Sequence, residues 1–328
     1  MASIAYKVAC GSIMTADRVN ECWPKHEETC ECGKFLPDSV HTFWSCPLLA
    51  TDSRPAVADT KWMAEEALIQ LGEKPDRNEA ATKKWEKTPL EAMWLRALIP
   101  KMAWPITPPA NSYELVDGSW DRPKFKGRVA TDGSGGRYTS DKDLRRCGWS
   151  AVQLDDLLPA KEWKWIAAPL AGMKQTVPRS ELMAVIAVAE NLDGDVELWS
   201  DCKTIVDTIN QRKWAAAMCS SNCDLWERLK EAIDKAAWKL TFKWINSHPT
   251  EAIQMQTHIP IIAYAGNKRA DELAREAADE IELLPSEVES HKDALEKAKA
   301  ILNRLATIAL DLYKNRPAKK MAEERKCR

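Results

Sequence analysis

No apolar run in the 328 residues approaches the ~20 needed to span a bilayer. The opening stretch MASIAYKVACGSIMTADRVN also lacks a basic segment followed by a continuous apolar one. Neither a membrane span nor a secretory signal is expected, and the address is read as intracellular, nucleus or cytoplasm. Charge of one sign is missing too: 47 Lys+Arg against 49 Asp+Glu leave a formal net charge of −2. That excludes a chain that coats nucleic acid by bulk charge, so any such contact must be local. Phenylalanine is scarce, at 4 against 15 tryptophans, so the large aromatics available for a core or a groove are indoles. In a reducing compartment the 10 cysteines serve as buried apolar residues or metal ligands, and disulfides are not expected.

What is present, 45% hydrophobic and 29% charged residues, is the composition of a globular chain longer than one average domain. Residues 1–50 are rich in Cys, His and Trp and read as a small module. Residues 51–125 begin with the turn-rich TDSRPAVADT, carry helical periodicity from Lys61 to Leu71 and from Thr82 to Leu98, and end in the proline-rich PKMAWPITPPANSY. Residues 126–281 form the main domain. Residues 282–328 are a charged amphipathic helix from Ser286 to Tyr313 followed by the basic KNRPAKKMAEERKCR, whose composition is that of a disordered tail.

Within the main domain, GRVAT, CGWSAVQL and EWKWIAAPL alternate apolar and polar positions between turn residues, as three antiparallel strands would. PRSELMAVIAVAENL then has helical spacing with Pro178 near its first turn, and DVELWSD is a short strand. Helices over 202–211 and 221–237, the strand KLTFKWI and a helix over 267–281 complete an α/β mixed sheet covered by helices.

Four acids stand at the edges of these elements: Asp132 and Asp201 at strand ends, Glu181 near a helix start, and Asp271 opening the last helix. One alone would be read as a cap or a dipole partner. Together, if the two strands are neighbours, they emerge at one edge of the sheet, where open α/β sheets carry their sites. Carboxylates gathered there repel unless a cation joins them, and hard oxygen ligands suit Mg²⁺. Two such ions can activate water and stabilise a leaving oxygen of a phosphodiester, with Asp132 as the natural bridge. Gly133, Gly135 and Gly136 would leave room for a nucleic-acid backbone, and Ser134 or nearby amides could meet phosphate.

TDGSG at Thr131, TVPRSELMAV at Thr176, LWSDC at Leu198 and GNKRADELA at Gly266 resemble, in order and context, the four motifs of type 1 RNase H. The resemblance covers residues 126–281. It implies a five-stranded mixed sheet with helices on both faces and metal-dependent endonucleolytic hydrolysis of the RNA strand of RNA/DNA hybrids. It also implies Asp132, Glu181, Asp201 and Asp271 as the Mg²⁺ ligands, with Mn²⁺ as a substitute ion. A carboxylate such as Glu181 can further contact the ribose 2′-OH that separates RNA from DNA. His248, in the loop after FKWINS, would assist proton transfer or product release. His258 is its rival, because the segment between His248 and Asp271 is longer than the family's. By resemblance Thr176, Arg179 and Asn267 contact the hybrid, although Asn267 would serve equally as an N-cap. Arg212, Lys213, Trp214 and Lys230 form a weak version of a basic handle, or simply a solvated helix face.

The front end, CWPKHEETCECGKFLPDSVHTFWSCP, offers Cys30, Cys32, His41 and Cys46 to a tetrahedral Zn²⁺. It resembles the zinc-finger-like segment that follows the reverse transcriptase of non-LTR retroelements. The spacing Cys-x-Cys departs from the usual pair, and Cys22 or His26 could substitute. Packed free thiols are the alternative. The chain thus reads as a ribonuclease H of retroelement descent, with an RNA/DNA hybrid as substrate. It would act as a monomer or beside a reverse transcriptase in a longer polyprotein, its zinc module aiding nucleic-acid handling. A 3′→5′ exonuclease is disfavoured because Asp132 is followed by Gly-Ser rather than x-Glu. The other alternative is a catalytically decayed nucleic-acid-binding or protein-interaction module.

Overall fold

Strand-forming and helix-forming patterns alternate along residues 105–284, and they assemble into a sheet with a helix layer on each face. The computed structural model describes residues 2–25, 27–73, 91–105, 115–116, 123–247 and 259–315. These divide into two units. One holds residues 1–104 with 285–328, the other residues 105–284.

The sheet unit contains β1 (Leu115–Val116), β2 (Phe125–Ser134), β3 (Gly148–Leu154), β4 (Lys164–Pro169), β5 (Leu192–Ser200) and β6 (Leu240–Trp244). The five expected strands are present, and the two-residue β1 adds an edge, in the order β1-β4-β3-β2-β5-β6. β2, β3 and β4 pair antiparallel, while β5 joins β2, and β6 joins β5, in parallel. Parallel neighbours need long crossovers. The first is the helix Val177–Ala189, and the second runs through Lys203–Asn210, Trp214–Met218 and Cys223–Lys235.

Strand periodicity assigns the two faces. Val129, Ala151, Ile166 and Leu198 point into a core with Leu182, Val185 and Ile186 of the first crossover helix and Leu225 and Leu229 of the last. Ala130, Val152, Leu154 and Ala167 point the other way, onto Ala270, Leu273 and Ala277 of the helix Ile261–Asp279. This second helix starts six residues earlier than the sequence pattern suggests. Ile261 and Ile262 follow Pro260 directly, and Gly266, which reads as a breaker, lies inside the helix. A Cβ there would stand 2.5 Å from a Leu154 methyl, so the helix keeps a glycine to lie close on β3. Gly148 does the same from the sheet side, since its Cβ would meet the Ala274 carbonyl oxygen at 2.3 Å.

In the other unit the helices α1 (Ala2–Ala9), α2 (Ala16–Cys22), α3 (Pro55–Ala58), α4 (Met63–Gln70) and α5 (Glu91–Arg96) precede the sheet domain in sequence. The helices of the sheet domain follow as α6 (Val177–Ala189), α7 (Lys203–Asn210), α8 (Trp214–Met218), α9 (Cys223–Lys235) and α10 (Ile261–Asp279). The last, α11 (Pro285–Asn315), returns to the first unit and packs Ile301, Leu305 and Ile308 among Phe43, Trp44, Val57 and Trp94. Here the indoles find a use: Trp44 stands edge-on to Trp94 at 5.2 Å and donates to the Trp94 carbonyl oxygen.

Arg304 of α11 is buried in this core. Its guanidinium donates to the Phe43 and Val57 carbonyl oxygens, each at 3.0 Å, and to Thr60, and it lies over the Trp44 ring. Burial lowers its pKa to about 10, so it remains a cation at neutral pH. Arg304→Ala leaves two buried carbonyls without donors and is expected to destabilise this unit by about 2–4 kcal/mol. Denaturant unfolding of the full chain, followed by tryptophan fluorescence, measures it, and an unchanged midpoint would show that the network contributes nothing net.

Candidate active site and metal centre

Register brings the first two acids together. Thr131 of β2 is level with Ser200 of β5 in the parallel pair, so Asp132 and Asp201 each stand one residue further, side by side. Glu181 arrives from α6, which lies against the end of β2 because Gly133 has no side chain. A Cβ at Gly133 would stand 2.5 Å from the Glu181 amide nitrogen and 2.6 Å from Ser180 Oγ. One carboxylate oxygen each of Asp132, Glu181 and Asp201 lies within 4.8 Å of the others, with Asp132 and Glu181 buried.

Three acids so placed cannot all be ionised cheaply without a cation. Burial first, and then the charge of Asp201, raise Asp132 to about 8, against the pull of the Gly133 amide. Burial and the charge of Asp132 push Glu181 well above the usual carboxylate range, and the two side chains are hydrogen-bonded. Glu181 Oε2 is buried with no hydrogen-bond partner. An orphaned oxygen among three close carboxylates fits a hard divalent cation.

Asp271 stands apart from this set. It lies in the middle of α10 rather than at its start, and its carboxylate accepts from Arg275 Nη2, one turn on, at 2.6 Å. Its charge still reaches the cluster, where it helps to raise Asp132.

The RNase H family model matches residues 127–279, the span that carries all four acids. A ribonuclease H from Pseudomonas putida is 32% identical over 146 residues, covering 41% of this chain and 84% of that protein.

The chain belongs to the RNase H family.

A ribonuclease H of Schizosaccharomyces pombe is 28% identical over 124 residues, 35% of this chain and 41% of that protein. Among solved structures, the PFV RNase H domain aligns with 48% of this chain and 96% of its own at 17% identity and a TM-score of 0.37. The ribonuclease H1 of Halobacterium salinarum covers 47% of this chain and 97% of its own at 20% identity and a TM-score of 0.28. The family match leaves out the first unit entirely.

Around the RNase H carboxylates the other expected residues take distinct places. Gly133 and Gly135 are occupied on their Cβ side by the protein itself, Gly135 by Thr139 and Val177, so the open space expected there is filled by α6 and the β2–β3 loop. Gly136 needs its glycine for a φ of +64°. Ser134 Oγ accepts from the Gly136 amide, and Thr176 holds the N-cap position of α6 without a side-chain cap bond. Arg179 is held by both oxygens of Asp224 on α9. Asn267 is no N-cap: it is buried within α10 with its Oδ1 unpartnered, one turn before Asp271. In the handle segment Lys230 pairs with Asp234 and Trp214 packs edge-on to Trp226. His248 and His258 lie outside the described residues.

One residue passed over in the sequence is Gln175. Buried before α6, it accepts from the Cys147 amide and donates to the Leu170 and Gly172 carbonyl oxygens, all at 2.8 Å. It thereby ties the start of the Glu181 helix to β3. A lone glutamine next to a threonine carries no sequence signal for that task.

In the first unit Cys30, Cys32, His41 and Cys46 also converge within 4.8 Å. A narrow hairpin, with Gly33 at a φ of +94° and the Gly33 amide donating to the Cys30 carbonyl oxygen, turns both sulfurs of the Cys-x-Cys pair to one side. His41 follows on a short π-helix that leads directly to Cys46. Cys30 and Cys46 sulfurs are 3.7 Å apart, and Cys32 sulfur is 3.3 Å from His41 Nε2. Zinc–sulfur bonds of about 2.3 Å in a tetrahedron place two sulfurs about 3.8 Å apart, so this donor set fits. Burial lowers His41, which keeps its imidazole neutral as a ligand requires, while burial pushes Cys46 up to about 12 in the metal-free state. Cys22 is exposed and outside the cluster, and His26 lies outside the described residues.

The raised carboxylate has a measurable sign. Asp132 ordinarily titrates near 3.8 and in the fold near 8, so between these values the folded state holds a proton that the unfolded state has lost. Stability of the metal-free protein therefore falls as pH rises through this window. Asp132→Asn, neutral throughout, is expected to melt at a higher temperature than the parent in chelator, with a larger gap at pH 8 than at pH 5. A gap independent of pH would contradict the buried, repelled carboxylate.

Proposed function

We propose that this RNase H hydrolyses the RNA strand of RNA/DNA hybrids endonucleolytically, with Mg²⁺ held by Asp132, Glu181 and Asp201, and Asp271 completing the set. The observation that carries this reading is the convergence of three carboxylates, two of them buried and one with an orphaned oxygen. Two divalent ions, when bound, supply water activation and leaving-group stabilisation. Asp132, central between β5 and α6, is the residue placed to bridge them. Glu181 is placed to meet a ribose 2′-OH, and α6, locked by Gln175, keeps that carboxylate in position. Arg179 holds α6 against α9 through Asp224, and the amides of Gly133 and Gly135 with Ser134 and Thr176 form the edge that a phosphate backbone would follow. Asn267 offers an unpartnered amide oxygen one turn from Asp271. His248 is assigned proton transfer or product release.

The test is a hybrid with labelled RNA and labelled DNA strands, incubated with Mg²⁺, beside single-stranded RNA and duplex DNA. RNA cleavage confined to the hybrid is expected, with Asp132→Asn and Asp201→Asn each lowering kcat at least 100-fold. Equal cleavage by both variants would sink the assignment, and binding without cleavage by the parent would identify a decayed module.

We infer in addition that Cys30, Cys32, His41 and Cys46 hold one structural Zn²⁺. The donor types, their mutual distances and the neutral His41 support it. A Cys-x-Cys…His…Cys-Pro segment ahead of an RNase H domain also supports a retroelement origin, in which a reverse transcriptase is the natural partner. Purified full-length protein is expected to carry one zinc per chain by atomic emission, with Cys46→Ser losing it and its first-unit melting transition. Zinc-free protein with an unchanged melt would remove this site.

A further inference from the structure

Beside the cysteine cluster, within the first unit, lies a cavity of about 560 Å³ whose walls and floor differ in chemistry. The floor is apolar, made by Leu48 and Leu49 with Ile308 and Leu312 from the last turns of α11. The walls carry Glu27, Glu28, Glu31, Asp52 and Asp311 against one cation, Arg54, a side-chain balance of five minus one, or four negative charges. Arg54 is committed to Asp52 and Asp311, so the surplus lies on the glutamates of the hairpin region. Leu48 is exposed although it belongs to this floor. Phosphate is the wrong ligand for such walls. An extended chain that is cationic and carries a few apolar side chains is the right one.

Such a chain begins one turn beyond the cavity. Leu312 lines the floor, α11 ends at Asn315, and the sequence continues RPAKKMAEERKCR. Residues 316–328 carry Arg316, Lys319, Lys320, Arg325, Lys326 and Arg328 against Glu323 and Glu324, six minus two, or four positive charges. The two balances cancel. At up to about 3.6 Å per residue the segment has ample reach, and tethering of this kind gives an effective concentration on the order of millimolar, enough for contacts that are individually weak. Met321 and Pro317 supply apolar side chains for the floor.

We propose that the basic segment 316–328 docks in this acidic, apolar-floored cavity and covers the face beside Cys30 and Cys46. The face of the zinc module that carries this cavity is then a protein-docking surface rather than the nucleic-acid surface expected from its sequence. The proposal is independent of the nuclease assignment, since it concerns residues outside the RNase H match.

Zero-length carbodiimide cross-linking of the full chain, mixed equally from isotope-labelled and unlabelled protein, tests it by mass spectrometry. Cross-links from Lys319, Lys320 or Lys326 to Glu27, Glu28 or Glu31 are expected within one chain, with yield falling at least 5-fold at high salt. The pair Lys297–Glu66, ion-paired in the structure, serves as the positive control. Tail lysines that never join these glutamates while the control pair links would overturn the proposal. Links found only between differently labelled chains would overturn it in favour of a second copy. A drop in those links when single-stranded RNA is added would give the cavity to nucleic acid instead, and Glu27→Gln with Glu31→Gln, both exposed, should lower the remaining yield to Glu28 without changing the melting temperature.

Discussion

Three carboxylates held within 4.8 Å, two of them out of water, are the most expensive feature of the sheet unit, and its other particulars follow from holding them there. Parallel pairing of β2 with β5 puts Asp132 beside Asp201. The missing side chain at Gly133 lets α6 bring Glu181 in, and Gln175 fixes where that helix starts. Gly148 and Gly266 let α10 lie close on the opposite face. Each removes a few tenths of a nanometre of freedom at a place where like charges would otherwise drift apart. Left without a cation, the cluster responds by keeping protons, and a site that binds protons in the place of metal is poised to exchange one for the other.

The first unit solves a different problem with different means. Short helices cannot bury much surface alone, and α11 supplies the long apolar stripe around which they collect. Arg304 then satisfies carbonyls that the short elements leave open, between a π-helix and the end of α3. The cysteine cluster is built on the same segment, since the π-helix that presents His41 also carries Phe43 and Trp44 into the core. Metal and core thus constrain one stretch of chain from two sides.

Much of the sheet unit was legible because its signals are local. Alternation named the five longer strands, and aspartates one residue beyond apolar runs named Asp132 and Asp201. What could not be read depends on partners distant in sequence. Gly266 looks like a breaker until Leu154 is seen against it, and with the helix start displaced, Asp271 and Asn267 were placed at an end they do not occupy. Arg179 looks available until Asp224 is seen holding it. The glycines after Asp132 suggested space for a ligand, whereas the space at Gly133 and Gly135 belongs to the protein's own chain. The Cys-x-Cys spacing looked too short for one metal, and only the hairpin at Gly33 shows how both sulfurs reach the same side.

The central claim is that the carboxylate cluster is a cation site in exchange with protons. Calorimetric titration of the metal-free protein with Mg²⁺ or Mn²⁺ at pH 7, repeated in buffers of different ionisation enthalpy, counts the protons released on binding. With Asp132 near 8 and Glu181 well above the usual carboxylate range, the account predicts net release of about one proton or more, reduced in Asp132→Asn. Binding with no proton release, or release unchanged in that variant, would contradict it.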